Sequence, residues 1–300
     1  MTPISSFSQL LSHLSSLAQR SRVAVVWGTD ESTQEALLQG LQQGFIAIAF
    51  VGGCDEIAQN KAFLPYNEHI EYIEAADFDE ASQRAVALVR EGKADVLMKG
   101  LVNTDKLLHA ILNKETGILP KGAILSHVTA AQIAHYPKLL FFSDPAVIPY
   151  PTLDQRRQLI QYVAQACRNF GIQQPRISLI HCTEKVNGKT FPVTLDYQTL
   201  REEAAAGQLG DVIVDGPLDL KTSICRESMQ TKGIQSPIDG QADGLIFSDI
   251  QAANVFFKII TFFPETKVAC CLQGTQCPVV LTSRSDNTET KFLSLALACL

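Results

Sequence analysis

Lys99 stands where an apolar run gives way to a predicted helix. It directly follows "DVLM" and precedes Gly100, and a helix start is expected at Asn103 and Thr104. The first backbone N–H groups of a helix have no partner within the helix, and a nearby cation adds to their attraction for a negative group. The spacing therefore predicts an anion site around Lys99.

Arg284 occupies a second such joint, near the end of the chain. It lies between an apolar run over 278–281 and a nearly all-apolar run over 292–300, so both flanks are expected to be buried. A buried guanidinium needs an anionic partner, and the planar fork suits the oxygens of a phosphate. The alternative is a structural ion pair of Arg284 with Asp286 or Glu289.

Polar residues also follow several other predicted strands. Ligands of open α/β sheets bind beyond the carboxyl ends of the strands, so these positions predict a small-molecule cleft. Structural roles compete: Asp30, Asp249 and Asp286 would serve as helix N-caps, and His127 would be a satisfied structural histidine. The strand-end residues considered for binding are Ser126, His127, Asp144, Asp215 and Gly216.

The elements that must position these residues alternate between strand and helix. Short unbroken runs of Val, Ile and Leu alternate with longer helical patterns, which predicts parallel strands buried on both faces. We expect an α/β protein with about ten strands, too many for one doubly wound unit of ordinary size. The proline-rich "DPAVIPYP" at 144–151 is the clearest boundary between two domains.

Composition narrows the function classes. With 300 residues, 46% hydrophobic residues, a net charge of −6 and no basic stripe, the chain predicts a large core and no nucleic-acid partner. The eight cysteines form no CxxC pair, so we expect reduced core thiols in a cytoplasmic protein and no metal site. The first segment reads as an amphipathic helix and not as a signal peptide, and no run is suited to crossing a membrane. GxGxxG, GxxxxGK[ST], GxSxG and HExxH are absent.

Several blocks resemble the phosphate acetyl/butyryl transferases, and the butyryl branch most. They occur in that family's order and spacing from about Val23 onward. The resemblance implies two doubly wound α/β domains around a cleft, similar to isocitrate and isopropylmalate dehydrogenases, in a homodimer or larger assembly. It also implies that the last helix returns to the first domain, which gives domains of 1–143 plus 284–300 and of 144–283. The blocks are "ADVLMKGLVNTDKLLHAILNKETGI", "ILSHV", "VDGPLDL", "TKGIQSPIDGQADGLIFSDIQAANVFFK" and "PVVLTSRSDNTETKFLSLALA".

The implied reaction interconverts acyl-CoA and inorganic phosphate with acyl phosphate and CoA, with no further cofactor. Resemblance places Ser283 and Arg284 at the family's catalytic pair, where Arg284 would hold the phosphoryl oxygens and Ser283 would donate to the developing oxyanion. Direct transfer in a ternary complex requires positioning more than a covalent nucleophile. Lys99, with the helix start after it, would be a second phosphate-binding group.

The chain departs from the family pattern at two positions. In the acetyl branch, an aspartate six residues after the arginine is the proposed base for the CoA thiol, and here that position is Thr290. Asp286 is our preferred replacement, with Glu289, Asp144 and His127 as alternatives. Ile148 stands where the family often has asparagine.

Two other functions remain open from the sequence. A non-catalytic acyl-CoA- or phosphate-binding regulatory module would use the same fold. An NAD-linked hydroxy-acid dehydrogenase is less favoured, because no DxxxD-like metal-binding series is found. The sequence leaves open the acyl chain length, because one methylene changes discrimination by only about 1–3 kcal/mol.

Overall fold

The computed structural model describes residues 3–263, 265–282 and 286–300. Within them lie eleven strands: β1 Ser21–Val26, β2 Ile46–Val51, β3 Ile70–Ile73, β4 Val96–Lys99, β5 Ser126–Gln132, β6 Leu140–Ser143, β7 Arg176–Ile180, β8 Ile213–Leu218, β9 Gly244–Ile246, β10 Lys267–Gln273 and β11 Val279–Val280. The α-helices are α1 Phe7–Ser15, α2 Glu31–Gln42, α3 Cys54–Ala58, α4 Phe78–Arg90, α5 Thr104–Ile111, α6 Leu153–Asn169, α7 Val193–Ala205, α8 Leu220–Ile224, α9 Arg226–Thr231, α10 Ile250–Phe262 and α11 Thr288–Ala298, with a 3₁₀ segment at Lys61–His69.

The chain forms two compact units. The N-terminal unit comprises Phe7–Leu125 and Val268–Leu300, and the central unit comprises Met1–Ser6 and Ser126–Lys267. The chain thus returns to its N-terminal unit near its end. The expected domain boundaries, 143/144 and 283/284, lie further along the chain than these divisions and remain a prediction about functional domains.

The N-terminal unit is built on strands in the order β3-β2-β1-β4-β11-β10. The pairs from β3 through β11 are parallel, with Val26 beside Lys99 and Met98 beside Val280, whereas β10 and β11 are antiparallel. Parallel alignment brings the carboxyl ends of β1, β4 and β11 to one edge. That edge is where Asp30, Lys99 and Thr282 follow or end their strands.

The central unit has the strand order β5-β6-β9-β7-β8. The strands from β6 to β8 are parallel, and β5 runs antiparallel to β6. The predicted α/β class is confirmed, and the antiparallel pairs are the exceptions to a largely parallel arrangement. In both antiparallel pairs the connection between the two strands is short and contains no helix. A parallel pair would require a longer crossover connection, usually a helix.

Helix caps confirm two predictions and correct a third. Asp30 accepts a hydrogen bond from the Thr33 N–H and caps α2, and Asp249 caps α10 in the same way. Asp286 does not cap α11. The helix begins one residue later than expected, so Asn287 is the cap and accepts from the Thr290 N–H at 2.8 Å.

Two further features concern the whole described chain. All eight cysteines are free thiols, and five of them are buried. Among the residues described, no helix combines the length and apolar character required to cross a bilayer.

Candidate active site

Lys99 ends β4 and is held in place by the turn that follows it. The Gly100 N–H donates to the Val26 carbonyl at 2.9 Å, and the Leu101 N–H donates to the Trp27 carbonyl at 2.7 Å. A Cβ on Gly100 would lie 2.3 Å from the Trp27 carbonyl oxygen, so only glycine allows this approach. The Lys99 side chain is buried, and its Nζ lies 3.2 Å from the Gly100 carbonyl oxygen. The turn therefore fixes a buried cation at the carboxyl edge of the sheet.

Lys291 brings a second buried ammonium group to the same edge, from α11. Its Nζ lies 2.7 Å from Asp30 Oδ1, 2.8 Å from Ser32 Oγ and 3.0 Å from Thr33 Oγ1. All three partners belong to the N-terminal end of α2, and the Lys291 side chain is only 5% exposed. The last helix is therefore joined to the start of α2 by a buried, fully hydrogen-bonded cation.

The carboxyl group of Asp30 is kept ionised by this arrangement. Burial alone would raise its pKa, but hydrogen bonds from Lys291, Thr33 and Ser32 outweigh burial and hold the pKa below its ordinary value. One oxygen, Oδ1, receives these bonds. The other, Oδ2, is buried and has no hydrogen-bond donor among the described residues.

Lys99, Lys291 and Asp30 all line one cavity of about 110 Å³. Its volume fits a group of a few heavy atoms, such as an oxyanion, and is too small for a whole CoA. The charged side chains on its wall are two cations and one anion, which leaves a net positive charge among the described lining residues. The lining residues are Asp30, Ser32, Lys99, Gly100, Leu101, Thr282 and Lys291.

Three other predicted residues of this unit, Asn103, Thr104 and Asp286, are not among the described lining residues of the cavity. Asn103 precedes α5 without capping it through its side chain, and Thr104 begins that helix. Asp286, which follows Thr282 by four residues in the sequence and precedes α11, is partly buried. Ser283 and Arg284, the predicted catalytic pair, lie outside the described residues.

In the central unit, Asp144 organises the residues around the start of β5. Its Oδ1 accepts from the N–H groups of Ala146 and Val147, both at 2.9 Å. Its Oδ2 accepts from Ser126 Oγ at 3.1 Å and from the His127 N–H at 3.3 Å. Four donors thus converge on a carboxylate that is 3% exposed. This arrangement makes Asp144 the scaffold that holds Ser126 and His127.

His127 is buried beside this scaffold. Its Nδ1 lies 3.4 Å from Thr129 Oγ1, and its ring meets the Phe257 ring edge-on at 6.4 Å between centroids. These contacts account for the burial of the His127 ring. The His127 ring therefore packs against α10, the helix that carries Phe257.

Asp215 and Gly216 lie elsewhere in the central unit, on β8. Asp215 accepts from the Gly216 N–H at 2.9 Å and has Arg201 at 3.6 Å. Asp215 lines a separate cavity of about 450 Å³, formed mainly by α7 and β8. The structure therefore does not join Asp215 to the group around Asp144 within the central unit.

Sequence reasoning missed Lys291, Ser32 and Thr282 as cavity residues. A signal existed for Lys291, because it is the only charged residue after Glu289 and directly precedes the nearly all-apolar run over 292–300. A charged side chain is rarely buried unless it has hydrogen-bonding or oppositely charged partners. At the two departures from the family pattern, Thr290 donates its N–H to Asn287 Oδ1 at 2.8 Å, and Ile148 is a buried apolar residue.

Comparisons with known proteins agree with the sequence blocks. The family model described as "Phosphate acetyl/butaryl transferase" matches residues 75–299. The phosphate butyryltransferase of Clostridium acetobutylicum is 36% identical over 299 residues, covering 99% of this chain and 98% of the relative. The phosphate acetyltransferase of Thermotoga maritima is 34% identical over 278 residues, covering 92% of this chain and 94% of the relative.

A solved structure extends the likeness to the fold. The branched-chain phosphotransacylase of Enterococcus faecalis superposes with a TM-score of 0.81 at 27% identity, covering 93% of this chain and 98% of that one. The matches span the chain almost from end to end, and they include the segments that carry Lys99 and Lys291. The chain therefore belongs to the phosphate acetyl/butyryl transferase family of acyltransferases.

Proposed function

We propose that this protein transfers a short acyl group, of the acetyl to butyryl type, between coenzyme A and inorganic phosphate. The observation that carries the proposal is the small cavity with two buried ammonium groups, in a chain of this family. A phosphate ion is bound well by buried positive charge, whereas the reacting thioester group is itself uncharged. The substrates are then acyl-CoA and phosphate in one direction, and acyl phosphate and CoA in the other.

The proposed chemistry is direct transfer in a ternary complex. A phosphate oxygen attacks the thioester carbonyl carbon, a new C–O bond forms, and the C–S bond breaks to release the CoA thiolate, which takes up a proton. Lys99 binds the phosphate, with Asn103 and Thr104 at the helix start beyond it. Arg284 neutralises the phosphoryl oxygens, and Ser283 donates to the tetrahedral oxyanion. Thr282, which precedes this pair in the sequence, lines the cavity.

Asp286 is the proposed general base for the CoA thiol in the reverse direction. Asp144 is less suited to this role, because four hydrogen-bond donors already occupy its carboxylate. His127 is buried against Phe257, and Glu289 is exposed on the first turn of α11. Ser126, His127 and Asp144 are proposed as a substrate-facing wall, and Asp215 with Gly216 as a further substrate contact.

We also propose a homodimer in the cytoplasm, formed through the outer face of α10. This helix carries only one charged residue, Lys258, and exposes large apolar side chains at helical spacing. The exposed parts of the Phe262 and Phe263 rings alone present roughly 250 Å² of apolar surface per copy. That is a substantial part of the ~800 Å² that each partner buries in a stable dimer. A patch with so little charge best fits a second copy of itself. Its residues and exposed fractions are Val255 63%, Ile259 56%, Phe262 82% and Phe263 56%.

The dimer is tested by light scattering after size exclusion. The wild-type protein should have twice the mass of the chain, and Phe262→Glu should have the mass of one chain. A wild-type protein that is monomeric at micromolar concentration contradicts the assignment of this face.

The reaction is tested by trapping acyl phosphate with hydroxylamine. Butyryl-CoA, phosphate and enzyme should yield hydroxamate, and omission of phosphate should abolish it. Activity should survive dialysis against a chelator, because the proposed reaction uses no cofactor beyond its substrates. Binding of acyl-CoA without any hydroxamate would instead favour a regulatory module.

A further inference from the structure

Lys291 and Asp30 form an ion pair on the wall of a cavity that is proposed to hold an anion. A carboxylate at this position would repel phosphate, and its pairing with Lys291 removes that repulsion. The pair is also distant in sequence, since the two residues are 261 positions apart. Its location therefore reflects the folded cavity and not local helix capping alone.

Stability alone explains this pair poorly. Burying two charges costs several kcal/mol per ion, and apolar residues of similar volume often stabilise a protein as well or better. The N-cap function of Asp30 needs no lysine, because Asp249 caps α10 through the equivalent bond to the Ala252 N–H. The lysine therefore adds something beyond a capped helix.

We propose that Lys291 is a positioning residue for the phosphate substrate: it neutralises Asp30, so that this carboxylate does not repel an oxyanion in the cavity, and it ties α11 to the start of α2. This inference rests on the proposed function. The tie has a second contact one turn earlier in α11, where Thr288 Oγ1 donates to Glu35 Oε2 at 2.7 Å. Both contacts hold α11, which follows the predicted catalytic pair in the sequence, against α2.

Three variants separate charge from packing: Lys291→Met, Asp30→Asn, and the two combined. Lys291→Met leaves an unpaired carboxylate at the cavity, so the KM for phosphate should rise about tenfold or more while the KM for acyl-CoA changes about twofold at most. Asp30→Asn keeps a capping side chain but leaves two cations at the cavity, so the KM for phosphate should fall. The double variant restores one net cation and should recover most of the loss.

Lys106→Met is the matched control, because Lys106 pairs with Asp79 on the surface of the same unit. It should leave both KM values unchanged. Equal changes in both KM values for Lys291→Met, or no recovery in the double variant, would overturn the inference. If Lys291→Met does not fold, the Asp30→Asn variant alone tests the inference. A KM for phosphate that is higher in Asp30→Asn than in the wild type would then refute the inference. Absence of phosphate-dependent turnover in the wild-type protein would refute the proposed function instead.

Discussion

Replacing Lys99 with methionine should selectively impair the use of phosphate. Methionine nearly preserves the length and volume of the side chain, so it removes a charge without creating a large cavity. The Lys99 side chain is buried, so water screens its interaction with a bound anion only weakly. The variant therefore isolates the electrostatic contribution of Lys99.

The size of the effect follows from the position of the cation. At an effective dielectric constant near 20, two unit charges 4 Å apart interact by about 4 kcal/mol. Arg284 is proposed to share the charge of the phosphoryl oxygens, so we take about half of that figure. A loss of about 2 kcal/mol corresponds to roughly a 30-fold fall in kcat/KM for phosphate.

The test measures initial rates in two series. Phosphate is varied at saturating butyryl-CoA, and then butyryl-CoA is varied at saturating phosphate. Thermal unfolding should show that Lys99→Met is folded, so that any kinetic change reflects the missing charge. Lys106→Met is again the surface control. A folded Lys99→Met variant whose kcat/KM for phosphate equals that of the wild type would refute the placement of phosphate beside Lys99.

Three more outcomes are expected. Arg284→Ala should raise the activation free energy by several kcal/mol while the melting temperature stays nearly unchanged. Near-normal activity would contradict the catalytic assignment. Gly100→Ala forces a Cβ to within 2.3 Å of the Trp27 carbonyl oxygen, so chemical denaturation should show a loss of about 1–3 kcal/mol; an unchanged midpoint would contradict the close approach. For Asp219, burial raises the pKa, but hydrogen bonds from Lys232 and Thr222 outweigh it and lower the pKa from 3.8 to about 2. Because a depressed folded-state pKa stabilises the protein above the unfolded pKa, about 1–2 kcal/mol should be lost as the pH falls from about 4 to about 2, and Asp219→Asn should abolish that part of the pH dependence.

Much of the fold follows from local sequence. The apolar run before Lys99 is short, bounded by Gly100 and buried on both faces, so its strand and its polar end were both predictable. Asp30 was predictable as a cap because capping depends on neighbours only a few residues away. The resemblance to the acyltransferase family was likewise carried by contiguous blocks.

The remainder depends on contacts between distant segments. The bond between Lys291 and Asp30 joins opposite ends of the chain, and no local pattern encodes it. The helical stretch after β8 is interrupted between α8 and α9, where Cys225 is extended. Propensity alone does not predict such a break, because tertiary contacts decide it.

The most direct test of the central claim is release of CoA from acetyl-, propionyl- and butyryl-CoA, followed with a thiol reagent in the presence and absence of phosphate. The account predicts release that requires phosphate, and the rank order of rates then names the preferred acyl chain. Release that proceeds equally without phosphate would indicate thioester hydrolysis. Either that result or no release from folded, CoA-binding protein would contradict the acyltransferase assignment.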